Sequence, residues 1–461
     1  MKSIKYSILL WSAVWATSCD VLNQEPVSEI ASVNFFQTAS DAEAAIVGCY
    51  DGFQGNGFVS MLYVLQPIVA SDETYPSRGG NYTRINTFEV NANQGDINNL
   101  WQVVYSGVHR CNDVLANVPG ITDPAIEDDR DRILGEAYFL RAYHFWHLTR
   151  WWGKIPLPLQ VTTSAEGLDL PREERSVVYD QIISDLEEAE RLLPDNTDNR
   201  AMASKAAARA LMARVFLFRN QEGDYANALE ETTAVLDDNF YTLVSGENYG
   251  DLFEVGKQNT VETIFEISVR PNVELENQGL DGELVPAAGN NFRVLPEQKI
   301  LDAFAENPED LRIPVTLDTV PDTTTLFVNK WTVGPVEQVD NRRLQDPNVV
   351  LLRLADVILM HAESLNELGQ TGEAIPFLNQ IRTRAGLEAT TAVSQEEVRQ
   401  AIRNERFLEL AFEGIRWFDL VRWDIAVQEV EELDNPDRIL WPVPVREIDL
   451  NPNLLPQNPS Y

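Results

Sequence analysis

The sequence predicts a mostly α-helical protein built from helical hairpins and interrupted by one loop-rich region with short strands. Three observations carry this expectation. Apolar residues recur at three- and four-residue spacing over several long stretches, as they do on the buried face of a helix. Glycines mark the turns between some of those stretches. Over residues 240–349 the helical periodicity fades, while Gly, Pro, Asn and Asp become frequent from Pro271 to Asn291.

The helices follow in order. Ala42 to Tyr50 and Val108 to Val118 are helix-like and carry Cys49 and Cys111. From Arg130 to Trp151, Leu134, Ala137, Tyr138, Arg141, Ala142, Phe145 and Leu148 fall at helical spacing; Gly153 ends the run, and Pro156 and Pro158 forbid its continuation. A further helix starts at Ser176, where Val178, Ile182, Ile183, Leu186, Ala189 and Leu193 form one stripe that stops at Pro194. Ala203 to Phe218 and Tyr225 to Leu236 give two more. In the loop-rich region the alternation of Glu262 to Val269 reads as a strand.

An internal echo ties two of these hairpins together. Gly223 precedes Ala228-Leu229 by five residues, and Gly369 precedes Ala374-Ile375 by the same distance. In each, the glycine permits a tight turn and the alanine lets the second helix approach the first, so the pairs resemble dispersed tetratricopeptide units.

The amino terminus sets the compartment. Lys2 and Lys5 precede an apolar run from Ile8 to Ala16, and Ala16-Thr17-Ser18 leads into Cys19. The run is too short to cross a bilayer, which takes about 20 residues, and reads as an export signal. A cysteine at the cleavage point predicts a lipoprotein, with Cys19 as the acylated first residue of the mature chain; Thr17 is a loose fit to the usual pattern, and an ordinary secretory signal is the alternative. The expected division is a signal at 1–18, a helical domain at 19–239, and a second domain at 240–461 that holds the insert 240–349 and repeat-like helices at 350–425. Cys49 and Cys111 either pair across adjacent helices or stay as two buried thiols, the second being favoured.

The formal net charge of −36 repels nucleic acid and anionic lipid at long range. No nucleophile elbow, HExxH helix, phosphate-binding glycine loop or EF-hand loop occurs, so an enzyme and a cofactor are not expected. His144 and His147 share a helix face and could ligate a metal, but their neighbours Tyr143, Phe145 and Trp146 favour packing. A plain repeat scaffold that binds protein through its helices would have no need of the insert.

Ordered along the chain, further landmarks resemble the SusD/RagB family. They are Asn99-Leu-Trp101, Asn112-Asp-Val-Leu115, Arg141 to Arg150 followed by Gly153-Lys-Ile-Pro156, Leu352 to Glu367, Leu378 to Leu387, Ile402 to Arg406, Glu409 to Leu420, Trp441-Pro-Val-Pro444 and Asn451-Pro-Asn-Leu454. The resemblance covers the chain from Cys19 almost to Tyr461. It implies about four tetratricopeptide-like hairpins supporting an irregular ligand face, a surface lipoprotein that captures glycan or, as in RagB-like members, peptide, and a SusC-like TonB-dependent barrel as partner in the outer membrane. Asp356, Glu363, Arg382, Glu405, Arg406 and Arg416 read as charged networks where helices meet. For the ligand, the resemblance points to Ser71 to Asn99 and to the insert. Sugars present apolar ring faces and many hydroxyls, so aromatic rings with polar neighbours suit them. The candidates are Asp72, Tyr75, Arg78, Asn81, Tyr82, Arg84, Phe292 and Trp331, with Tyr82 and Trp331 as stacking platforms and Asp72 and Arg84 as polar partners.

Overall fold

The computed structural model describes residues 35–54, 56–77, 79–162, 169–254, 256–269, 280, 284, 293–319, 323–331, 338–339, 342–343 and 348–461. Cys19, Arg78 and Phe292 lie outside the described residues. Among the described residues helices dominate, and the strands are short and paired in twos.

Each predicted helix is present within a few residues of its expected bounds: Ala39–Asp51, Arg130–Trp152, Arg175–Leu192, Lys205–Arg219 and Asp224–Asp237. The Cys111 helix is longer than expected and spans Gly95–Asn117, so that Asn99 and Trp101 lie inside it. Arg130–Trp152 is the central helix. Every residue from Phe139 to Trp152 is buried, which explains why its carboxy-terminal half carries aromatic residues on all sides. Helix starts follow local chemistry: Ser204 caps Lys205–Arg219, and Ser394 with Glu397 forms a capping box at Gln395–Glu409.

The two glycine-marked hairpins, distant in sequence, are stacked in space. Asp224–Asp237 packs on Leu354–Glu367, whose hairpin partner is Thr371–Arg384. Thr232 Oγ1 lies 3.0 Å from His361 Nδ1 across that contact. Gly223 and Gly369 have φ of +90° and +81°, values that L side chains rarely adopt, and Ala228 and Ala374 are fully buried between their helices.

What separates the hairpins in sequence is returned to its starting place by a strand pair. Thr263–Ile267 runs antiparallel to Val349–Arg353, and both are buried along their whole length. The alternation that predicts the first strand is therefore not an inside–outside pattern: Glu266 is buried and accepts from the Asn348 amide at 2.7 Å. A second pair, Thr74–Pro76 with Val294–Pro296, sets Tyr75 opposite Leu295. It joins the polar segment after Ser71 to the insert, more than 200 residues away in the chain.

Cys49 and Cys111 are both free and buried. Burial followed by the neighbouring Cys49 pushes the Cys111 thiol well above its ordinary value. His144 and His147 are fully buried against Phe53, Phe58 and Tyr143. Burial drives the His144 pKa down to about 3, so the ring packs in its neutral form. Among the described residues no group of three metal-ligating side chains gathers, and no helix is long and apolar enough to cross a membrane.

Candidate functional site

A cleft opens beside the strand pair that ties the polar segment to the insert, where Arg293, the residue before Val294–Pro296, lines it. Its volume is about 580 Å³. Asn81 and Tyr82 stand at the start of a short helix, Asn81–Asn86, which follows the Gly79-Gly80 bend. Asp96 and Asn99 come from the first turns of Gly95–Asn117, and Arg293 enters from the insert beside Val294–Pro296. Met61, Gln66 and Leu100 complete the lining.

Apolar and polar groups both line this space. The Tyr82 ring is half-buried against the core, and its hydroxyl lies 3.6 Å from Met61 Sδ. Gln66 is 2% exposed, and its Oε1 has no hydrogen-bond partner among the described residues. A buried carbonyl oxygen without a partner costs about 1–3 kcal/mol, so a hydroxyl donated by a ligand would be favourable there. Asp96 is the one carboxylate among the described lining residues and Arg293 the one guanidinium. Asp96 also sits in the first helical turn, where the helix dipole favours negative charge.

The structure divides the sequence-predicted residues. Asn81 and Tyr82 line the cleft. Tyr75 is 39% exposed on the edge strand, and Arg84 is exposed on the Asn81–Asn86 helix, both on the same segment but outside the lining. Two assignments are corrected. Trp331 is fully buried, its indole N–H donates to the Phe412 carbonyl at 2.9 Å, and its ring meets Phe253 edge-on, which leaves no face for a ligand. Asp72 is 6% exposed and grips Arg416 through both oxygens at 2.8 and 2.7 Å, with Lys299 at 2.5 Å. Burial raises its pKa, but Arg416 and Lys299 outweigh that and hold the carboxyl below its usual range. Asp72 is thus a member of the ion-pair networks.

Those networks are as expected for the other charged landmarks. Asp356 bridges Arg214 and Arg406, Glu363 pairs with Arg422, and Glu405 pairs with Arg382.

A family model described as "Starch-binding associating with outer membrane" matches residues 62–217, and one described as "SusD family" matches residues 318–438. Over 99% of both chains the sequence is 28% identical to a SusD-like protein of Formosa agariphila. The chain belongs to the SusD-like family. Its fold is likewise that of solved SusD-like structures. A SusD homolog from Bacteroides thetaiotaomicron superposes with a TM-score of 0.83 at 21% identity, covering 94% of this chain and 99% of that one. A laminarin-binding SusD-like protein superposes with a TM-score of 0.79 at 24% identity, covering 92% and 100%. In this SusD-like chain the cleft takes Asn81, Tyr82, Asp96 and Asn99 from the span of the first family match, and Arg293 from between the two matches.

Sequence reasoning missed Met61, Gln66, Asp96, Asn99, Leu100 and Arg293 as lining. A signal existed for Asp96 and Asn99, since the polar run Asn91 to Asn99 belongs to the segment already singled out. Gln66 gave none, because a glutamine between Leu65 and Pro67 reads as the interior of an apolar stretch.

Proposed function

We propose that this SusD-like protein binds glycan in the Tyr82 cleft and presents it, as a surface lipoprotein anchored through Cys19, to a SusC-like TonB-dependent barrel of the outer membrane. The observation that carries the binding reading is the cleft's composition. An aromatic ring and a thioether lie beside two asparagines, a buried carbonyl oxygen, one carboxylate and one guanidinium, in a volume that takes several sugar rings. Equal and opposite charges in the lining suit a neutral ligand rich in hydroxyls. The net charge of −36 disfavours a polyanionic one at long range. The "starch-binding" description of one matched family and the laminarin named for a structural neighbour point the same way. Binding without hydrolysis is favoured because glycoside hydrolysis works with two carboxylates across the scissile bond, and Asp96 is alone among the described lining residues.

The test uses the lipid-free chain from Cys19 onward, arrayed against neutral and charged polysaccharides and against peptides. Binding to a neutral glycan, weakened tenfold or more in both Tyr82→Ala and Asn99→Ala, is the expected result, a loss of at least about 1.4 kcal/mol each. Affinity unchanged in both folded variants places the site elsewhere, and binding to peptides alone replaces the reading with a RagB-like one. For the partner, purification from the native membrane in mild detergent should recover a large β-barrel; recovery of this chain alone refutes the transporter reading. Cys19→Ala should release the protein from membranes, and its retention there refutes the anchor.

A further inference from the structure

Two buried ion-pair networks hold the carboxy-terminal helices, and they differ in their charge balance. In the first, Arg312, Lys330, Arg353, Arg382 and Arg384 meet Glu262, Asp310, Glu405, Glu409 and Glu413, so that cations and carboxylates match one for one. In the second, Arg214, Arg406 and Arg422 share Asp356, Asp419 and Glu363. Arg150 stands beside them and has no carboxylate within ion-pair distance among the described residues.

Arg150 is 4% exposed and lies between two rings, its Cζ 3.4 Å from the Trp146 centroid and 3.7 Å from that of Phe418. Its Nη2 donates to the His147 ring, 3.0 Å from Nδ1, and that ring is held neutral by burial. Its Nε has no partner among the described residues. Burial lowers the guanidinium pKa to about 9, which leaves it protonated at neutral pH. Four guanidinium groups therefore face three carboxylates in the protein interior. An uncompensated buried charge is among the costliest features a fold can carry.

At this place there is a cavity of about 30 Å³, walled by Arg150, Arg214, Arg406 and Arg422, by one carboxylate, Asp419, which Arg406 and Arg422 already hold, and by apolar side chains that include Trp146 and Phe418. That is room for about one water-sized body. We propose that the cavity binds one monatomic monovalent anion, chloride in ordinary media, which supplies the missing negative charge. A neutral water leaves the excess charge in place, and sulfate or phosphate exceeds both the space and the charge required. The site joins the two halves of the molecule, since Arg150 and Arg214 come from the span of the first family match and Arg406, Phe418 and Arg422 from the second.

Two measurements decide this. Crystals of the lipid-free protein grown in sodium bromide should show an anomalous peak in the cavity beside Arg150. In solution, the thermal midpoint should rise as sodium chloride replaces sodium gluconate at constant ionic strength, by the linkage expected for a ligand of the native state. Arg150→Met keeps an unbranched side chain between the two rings and balances the charge, and it should lose both the peak and the chloride dependence. A wild-type map without the peak, or a wild-type midpoint indifferent to chloride, overturns the proposal even if the variant does not fold.

Discussion

Glu409 offers the sharpest test of the buried networks. It is fully buried; its Oε2 lies 3.0 Å from Arg312 Nη1, its Oε1 lies 2.5 Å from Arg353 Nη1, and Arg384 also donates to Oε1. Glu409→Gln keeps the shape, removes one negative charge, and turns an amide N–H₂ or a single carbonyl toward three guanidinium groups. Breaking a buried pair on one side costs about 3–5 kcal/mol. For about 380 described residues the unfolding entropy is roughly 0.8 kcal/mol/K, so the melting midpoint should fall by about 4–6 °C at pH 7. Differential scanning calorimetry reads this, with Glu188→Gln as control. Glu188 pairs with Arg191 on the surface, where both are well exposed, and that variant should move by less than about 1 °C. The pH dependence has a definite sign. Burial raises the Glu409 pKa, but Arg384, Arg353 and Arg312 outweigh it and hold the folded value well below the ordinary 4.5. The contribution is therefore complete above pH 4.5 and is lost as pH falls below it, so wild type and variant should converge in acid. A variant that melts within 1 °C of wild type at pH 7 would refute the claim that charge matching holds these helices together.

Glu73 has the opposite sign. Burial pushes its pKa up to about 8, and Oε1 accepts from the Phe412 N–H at 2.7 Å. Because the folded value exceeds the unfolded one, ionisation costs stability as pH rises from 4.5 to 8. Glu73→Gln, which keeps the acceptor, should match wild type near pH 4.5 and exceed it by on the order of 2–4 kcal/mol at pH 8 in urea unfolding. Gly107→Ala would place a methyl group 2.1 Å from His144 Nε2, inside the packed core, and should cost about 1–3 kcal/mol by the same measurement. The chain from Asp20 onward should show no rapidly reacting thiol toward a disulfide reagent when folded, and two when unfolded, because Cys49 and Cys111 are free and buried.

Most of the helices were legible because their evidence is local. The stripe from Val178 to Leu193, the breakers after Trp151 and the turn glycines at 223 and 369 each act within a few residues of where they stand. The stacking of the two repeat-like hairpins was not, since it depends on the insert between them returning to its origin through Thr263–Ile267 and Val349–Arg353. The site was half legible for a similar reason. An aromatic–polar mixture in a segment unsuited to a helix core pointed to Asn81 and Tyr82, which stay at least partly exposed at the start of a short helix. Whether Trp331 or Asp72 is open to ligand depends on what packs over them, and Phe412 and Arg416 lie 81 and 344 residues away. A lone tryptophan in an insert carries no local mark of burial, and an aspartate in a loop carries none of its partner.

The buried strand pair at the base of the insert bears on how such a protein can change its ligand. Its two ends are clamped together by a ladder, and the insert is tied down again where Val294–Pro296 pairs with Thr74–Pro76 and where Arg312 and Lys330 meet Glu405, Glu409 and Glu413. Closure entropy grows only slowly with loop length, by about 0.6 kcal/mol per doubling. Length changes between Ile267 and Val294, ahead of the strand and the buried network, are thus thermodynamically inexpensive and leave those anchors in place. Arg293 reaches the cleft from within that loop. One side of the proposed binding cleft can accordingly be remodelled by length variation alone, while the side that carries Tyr82 and Asn99 stays in register with the helices.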